Sequence, residues 1–281
     1  MTGAPDRARL AVLGSPIAHS KSPALHAAAY DVLGLDWEYS AIEVANDGLA
    51  TFLGGLDASW RGLSLTMPLK REVLTLLDER SALVDEVGAA NTVLLDAGST
   101  RGFNTDVAGI IGAFADAGVT SLDDVQLLGA GATAASVLAA VARLGATRVL
   151  VSARDPEKAR SLEPLASALG IELAIRPIGM MDRSLNIPSA VVSTLPGGTP
   201  IDVAYPAAVR AGSVLLDVAY EPWPSALAAS WTDVGGTVVS GLQMLLHQAF
   251  AQVRIFVTGE EGGKLSREAQ VVAAMRSAVG L

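Results

Sequence analysis

Lys70 closes the stretch "SLTMPLK" (64–70), and it is one of four lysines in a chain that carries sixteen arginines. A charge needed only for solvation could equally be an arginine. A group that must give up a proton and regain it could not, because guanidinium stays protonated in proteins while an ammonium is tuned by its surroundings. Lys70 is therefore an acid/base candidate; its structural alternative is a solvated residue in the first turn of a helix over "KREVLTLL". Asp106, in "GFNTD", offers a carboxylate that would orient such an ammonium, and it equally suits the N-cap of a helix starting there.

Two further clusters have chemical potential. In "GSPIAHSKSPALHAAAY", Ser22 precedes Pro23 and reads as the N-cap of a helix with proline in its first position. With Ser20 it places two hydroxyls at a helix N-terminus, where a carboxylate or a ring hydroxyl would be held. His19 lies in the loop before Ser20, while His26 and His247 fall on helices and read as packing or surface residues. The second cluster, "LLGAGATAASVLAAVARLG", fits G-x-G-x-x-A with Gly129, Gly131 and Ala134 between a strand and a helix. There a tight turn, close backbone approach to a pyrophosphate and close helix packing each demand a small residue. At the end of the next strand Arg154 and Asp155 stand side by side, the first suited to a ribose 2′-phosphate and the second to a free 2′-hydroxyl. Asp155 precedes Pro156, and capping the following helix is the role we expect of it.

The background narrows the classes. The chain has 281 residues, 51% hydrophobic and 17% charged, with a formal net charge of −9 and no cysteine. Such a chain buries a large core, attracts no polyanion, and has neither disulfide nor thiolate chemistry. Nucleic acid is not expected as a partner, and the three histidines show no metal-ligand spacing. The stretch "MTGAPDRARL" lacks the apolar core of a signal peptide, and no run of about 18 apolar residues follows. A cytoplasmic protein away from membranes is expected.

Short apolar or β-branched runs alternate with alanine-rich helical stretches. Strands are expected at 9–14, 37–44, 60–66, 125–129, 148–153, 171–176, 190–194 and 213–220, and helices at 23–34, 47–54, 131–144 and 156–168. A hairpin-like turn in "LLDAGSTRGFNTDVAG" leads into a helix near Asp106, and "GLQMLLHQAFAQVRIF" opens a long amphipathic one. The alternation implies an α/β protein with a doubly wound parallel sheet in its second part. We expect residues 1–106, completed by 242–281, to form one α/β domain and 107–241 a Rossmann-type dinucleotide-binding domain.

Taken in order, "SPIAHSKSP", "SLTMPLK", "GAANTV", "GFNTD", "GAGATA" and "GLQMLLHQ" resemble shikimate dehydrogenase, a family of enzymes that interconvert 3-dehydroshikimate and shikimate with NADP in aromatic amino acid biosynthesis. The resemblance runs from about residue 10 to residue 258. It implies an N-terminal substrate domain and a Rossmann domain for the cofactor. It makes Lys70 and Asp106 catalytic, and gives substrate contacts to Ser20, Ser22, Thr66, Asn91, Asp106, Tyr220 and Gln248. Gly129, Ala130, Gly131, Ala132, Thr133, Ala153, Arg154, Asp155, Ser193, Thr194, Val218, Gly241 and Met244 would line the cofactor. Tyr220, Gln248 and Met244 each have an alternative as ordinary interior residues.

Three positions depart from the family pattern. Ser64 replaces an asparagine, with its reach toward the lysine left open. Ala132 replaces a glycine. Only Arg154 remains of an "NRT" segment, so the choice between NADP and NAD is where the sequence argues with itself. The rival within the enzyme class is an NAD-dependent quinate/shikimate dehydrogenase; outside it stand a methyltransferase using the same glycine loop and a catalytically dead dinucleotide sensor. Partners are expected to be small molecules, with a homodimer as one possible assembly.

Overall fold

The computed structural model describes residues 7–96, 98–179, 186–200 and 203–281; residues 1–6, part of the stretch read for a leader, lie outside them. The chain divides into two compact units, Met1–Thr105 with Leu245–Leu281, and Asp106–Met244.

In the first unit β1 (Ala8–Gly14), α1 (Ser22–Leu33), β2 (Trp37–Glu43), α2 (Leu49–Gly54), β3 (Trp60–Leu65), α3 (Leu69–Glu72), β4 (Glu79–Arg80), α4 (Ala82–Val87), β5 (Thr92–Asp96) and β6 (Ser99–Phe103) follow one another. They form a six-stranded sheet of order β2-β1-β3-β5-β6-β4. β1 runs parallel to β2 and β3, while β5 is antiparallel to both β3 and β6. The period-2 alternation of strands sorts the core. Leu10 and Leu94 pack with Leu25, Tyr30 and Phe256 on one face. Ala11, Leu13, Leu63 and Leu65 pack with Leu49, Leu69 and Val84 on the other.

In the second unit α5 (Asp106–Asp116), β7 (Asp124–Leu128), α6 (Ala132–Arg143), β8 (Arg148–Ala153), α7 (Pro156–Ala159), α8 (Glu163–Ala168), β9 (Glu172–Pro177), β10 (Ala190–Ser193), α9 (Ala207–Gly212), β11 (Val214–Asp217), α10 (Ala226–Thr232) and β12 (Thr237–Ser240) follow. All six strands are parallel, in the order β12-β11-β10-β7-β8-β9. Starting from β7, the sheet winds outward one way through β8 and β9 and then the other way through β10, β11 and β12. That is the doubly wound order, with its switch point between β7 and β10. α11 (Gly241–Thr258) begins in this unit and continues into the first, which α12 (Glu268–Val279) completes.

Several expectations need correcting. Ser22 is the first residue of α1, preceded by Lys21, and no side chain caps this end. Instead the Ser22 N–H donates to Ser20 Oγ at 3.3 Å, a local turn that a serine two residues upstream can make. The helix expected over 156–168 breaks into α7, a 3₁₀ turn at Arg160–Leu162 and α8, because Pro164 lacks the N–H that would continue the ladder. The helix expected over "KREVLTLL" likewise stops at Glu72 and tightens into a 3₁₀ turn over Val73–Leu76. The strand expected over 213–220 ends at Asp217, whose carboxylate takes the Ala219 N–H at 3.2 Å. Asp155 does cap α7, accepting from the Lys158 N–H at 3.1 Å.

His26 is fully buried on α1, stacked on Tyr39 with ring centroids 3.8 Å apart. Burial lowers its pKa to about 3, against a weaker opposing effect of its hydrogen bond to Gln252. The unfolded chain binds a proton near pH 6.5 that the folded chain refuses, so this histidine's contribution is full above that pH and is lost as pH falls toward 3. Unfolding free energy measured by denaturant titration between about pH 7 and pH 5 should therefore decline by up to roughly 1.4 kcal/mol per pH unit from this group. His26→Gln should remove that component; an unchanged slope in the variant would show that His26 titrates alike in both states.

Candidate functional site

Backbone hydrogen bonds alone gather the polar residues of the first unit at one end of its sheet. Thr66 N–H donates to the Leu13 carbonyl (2.9 Å), Ser15 N–H to the Met67 carbonyl (3.0 Å), Leu65 N–H to the Asn91 carbonyl (2.8 Å) and Ala90 N–H to the Lys70 carbonyl (2.9 Å). Gly14 permits this closure. A Cβ there would collide with Thr66 Cγ2 and stand 2.8 Å from the Met67 carbonyl oxygen. Thr66, Lys70 and Asn91 thus share the carboxyl ends of β1 and β3, the end of a parallel pair where ligands bind in open α/β sheets. Lys70 is buried, as is Ser22, while Ser20 is half-buried and His19 exposed.

Asn91 is the hub of this end. Its side chain is fully buried, and Nδ2 donates to Thr105 Oγ1 (2.9 Å) and to Gln248 Oε1 (2.8 Å). Oδ1 accepts from the Thr105 N–H (2.8 Å) and the Thr92 hydroxyl (3.0 Å). One amide therefore ties the start of β5 to the end of β6 and to α11. Asp106 follows Thr105 directly in the chain and opens α5 with its side chain buried. Ser64, by contrast, does not turn toward the lysine. Strand alternation puts it on the face that packs against α1 and α11, where it accepts from the Tyr39 hydroxyl (2.7 Å) and donates to Gln252 Oε1 (2.9 Å).

The second unit presents small residues at successive strand tips. Ser193 ends β10, Ala153 ends β8, and Gly129, Val218 and Gly241 lie just past β7, β11 and β12. Gly129 holds φ +104°, and a Cβ there would collide with Thr194 Oγ1. Thr194 is itself pinned, its N–H and hydroxyl each donating to the Leu128 carbonyl at 2.9 Å. These two residues meet at the switch point. Gly241 is glycine for a packing reason, since a Cβ would collide with the Val218 carbonyl.

Gly131 is different. Its backbone (φ −83°, ψ −168°) suits any residue, and a Cβ there would meet nothing within 4 Å. Neither strain nor packing requires a glycine here, and its absent side chain leaves the backbone at the start of α6 open to close approach. Ala132 opens α6 and Thr133 follows within its first turn. Arg154 is exposed beside the capping Asp155, Tyr220 is half-buried in the loop after β11, and Met244 is buried. The chain thus has the tips and the glycine cradle that fit a dinucleotide. Among the described residues no group of three or more His, Cys, Asp or Glu could hold a metal ion, and no helix is long and apolar enough to cross a membrane.

Sequence reasoning missed Gln252, Tyr39 and Thr105. Gln252 lies four residues after Gln248 on α11 and so shares its face, a spacing that would have found it. Tyr39 and Thr105 carry no comparable signal, because their roles arise only from tertiary hydrogen bonds.

Comparison with known proteins agrees with this architecture. The family described as shikimate dehydrogenase substrate binding domain matches residues 12–93. The shikimate dehydrogenase (NADP(+)) of Methanothermobacter thermautotrophicus is 33% identical over 259 residues, spanning 89% of this chain and 90% of that relative. The crystal structure of Mycobacterium tuberculosis shikimate dehydrogenase is similar at 38% identity and a TM-score of 0.81, covering 96% of this chain and 99% of that one. Shikimate 5-dehydrogenase from Thermus thermophilus, solved in complex with NADP(H) and shikimate, is similar at 31% identity and a TM-score of 0.78, with coverage of 96% and 99%. Identity of this order along nearly the whole of both chains, on a fold with these two units, shows that the chain belongs to the shikimate dehydrogenase family.

Proposed function

We propose that the chain catalyses the reversible NADP(H)-dependent reduction of 3-dehydroshikimate to shikimate, with the first unit as the substrate domain and the second as the cofactor domain. The observation that carries this reading is the polar end of the first sheet, where the Asn91 amide holds Thr105 and Gln248 and the neighbouring Ala90 N–H holds the carbonyl of the buried Lys70, in a family whose relatives act on shikimate. A polyol carboxylate offers many oxygens, and such a surface answers them with donors. Ser20 and Ser22 take the carboxylate end, and Thr66, Asp106, Tyr220 and Gln248 take the hydroxyls; Asn91, expected among these contacts, has its amide engaged within the unit and acts by holding Gln248 in place.

Gly129, Ala130, Gly131, Ala132 and Thr133 would hold the pyrophosphate, with Ala153, Ser193, Thr194, Val218, Gly241 and Met244 along the rest of the dinucleotide. The nicotinamide supplies the hydride when it is bound. Lys70 Nζ donates a proton to the ketone oxygen as that atom gains negative charge, and recovers one from solvent afterwards. Asp106 orients the ammonium and keeps a compensating charge near it. Arg154 meets the 2′-phosphate. Its neighbour Asp155 is engaged in capping α7, which supports NADP over NAD. We extend the proposal to a cytoplasmic setting, in keeping with a chain free of cysteine, and to a homodimer, which sedimentation equilibrium would test.

Initial rates with shikimate and quinate, each against NADP and NAD, test the reading directly. The highest kcat/KM is expected for shikimate with NADP; a maximum for quinate with NAD would move the chain to the catabolic branch. Lys70→Arg should bind both ligands yet lose roughly 10²- to 10⁴-fold in kcat, and wild-type turnover in that variant would remove the proton-transfer role. For the cofactor cradle, Gly131→Ala should change stability by less than about 1 kcal/mol, since nothing obstructs the methyl. It should nevertheless weaken NADP binding, measured by calorimetry, at least tenfold. Undiminished affinity would mean that the phosphates do not approach this backbone.

A further inference from the structure

Gln252 satisfies its amide completely inside the first unit. Its Oε1 accepts from the Ser64 hydroxyl (2.9 Å) and from His26 Nε2 (3.3 Å), and its Nε2 donates to the Asn91 carbonyl (3.3 Å) and to Thr92 Oγ1 (3.2 Å). The Asn91 carbonyl, which can only accept, and the Oε1 thereby turned toward Ser64 and His26 set the way the amide faces. They also fix the histidine tautomer. His26 Nε2 carries the proton, so its Nδ1 accepts from the Tyr30 hydroxyl at 3.0 Å.

The direction of every bond then follows. Tyr39 donates to Ser64, Ser64 to Gln252, Gln252 to Thr92, Thr92 to Asn91 and Asn91 to Gln248. Because Gln248 Oε1 accepts an N–H from Asn91, the Gln248 amide is oriented with its oxygen toward Asn91 and its Nε2, a donor, on the other side. A flipped Gln252 amide would set Nε2 against the donors of Ser64 and His26, and Oε1 against the Asn91 carbonyl.

We infer that Gln252 is a positioning residue for the substrate pocket: held by His26, Ser64 and Tyr39, it fixes the Asn91 turn so that Gln248 faces the substrate as a hydrogen-bond donor to a hydroxyl or ketone oxygen. The inference rests on the proposed activity toward shikimate. Gln252 touches neither substrate nor cofactor in this role. Its effect is on the geometry of Asn91 and Gln248, so it appears in shikimate binding and not in NADP binding.

Gln252→Leu and Gln252→Glu in the full chain test this, with calorimetric shikimate affinity, KM for each ligand, kcat and melting temperature as readouts. Gln252→Leu should raise the Kd and KM for shikimate roughly tenfold, the effect of about one lost hydrogen bond, while KM for NADP stays within about twofold. In Gln252→Glu the ionised carboxylate faces the Asn91 carbonyl, and protonation restores one donor. Its shikimate affinity relative to wild type should therefore recover as pH falls from about 8 to 5, a dependence that loss of packing alone does not produce. The other titratable or charged groups around this position are His26 and Tyr30 on α1, Tyr39 on β2, and Arg61 on β3, which donates to the Phe256 carbonyl one turn further along α11. His26 and the tyrosines hold one protonation state through that window, His26 with its pKa near 3 and the tyrosines raised above their usual value by burial.

Wild-type shikimate affinity in both Gln252 variants, whatever their melting temperatures, would overturn the inference. Should either fail to fold, Ser64→Ala, which deletes one donor to Oε1, carries the same test: a selective rise in shikimate KM supports the role and an unchanged KM refutes it. Failure of the underlying activity is distinguishable, because the wild-type chain itself would then neither bind nor oxidise shikimate.

Discussion

The side-chain amide of Asn91 is the interaction on which the polar end of the first unit depends. A fully buried amide left unpaired would cost on the order of 1–3 kcal/mol per group. Here it instead joins β5, the β6–α5 junction and α11 through four hydrogen bonds of 2.8 to 3.0 Å. Those partners come from positions 92, 105 and 248, far apart in sequence. Their convergence converts a three-way junction of strands and helix into a rigid set of donors and acceptors. Rigidity at this point matters because a hydroxylated substrate is distinguished by where donors stand, not by how much apolar area it buries.

The second unit meets a different constraint. A dinucleotide must lie across strand tips close to backbone N–H groups, so bulk is excluded wherever chain meets chain there. Gly129 against Thr194 and Gly241 against the Val218 carbonyl show the steric side of that constraint. Gly131, which no neighbour requires to be glycine, leaves its stretch of backbone open. The distinction separates glycines that the chain's own packing demands from one that it does not.

Features encoded by near neighbours were legible in the sequence. Alternation announced the parallel strands, and the Asp-Pro pair at 155–156 announced a capped helix, since a cap and its N–H partner lie three residues apart. The serine before Pro23 looked similar and misled. There the turn is closed by Ser20, whose hydroxyl accepts the Ser22 N–H. Pro164 is the sequence signal for the break between α7 and α8. Short elements such as β4 and α9, and α12 with its mixed polarity, owe their form to packing more than to local preference. The orientation of Ser64 and the part played by Gln252 were hidden for a deeper reason: each is defined by partners about 190 residues away along the chain.

Native-state hydrogen exchange at the Thr105 amide tests the central claim most directly, because that N–H donates to Asn91 Oδ1 inside the unit. The account predicts protection of the same order as the β3 and β5 amides, reached only by opening the unit as a whole, and its loss in Asn91→Ala under conditions where those strands remain protected. Exchange of Thr105 in the wild-type chain at the rate of an exposed loop would contradict it, since the Asn91 amide would then not hold the junction that brings the polar residues together.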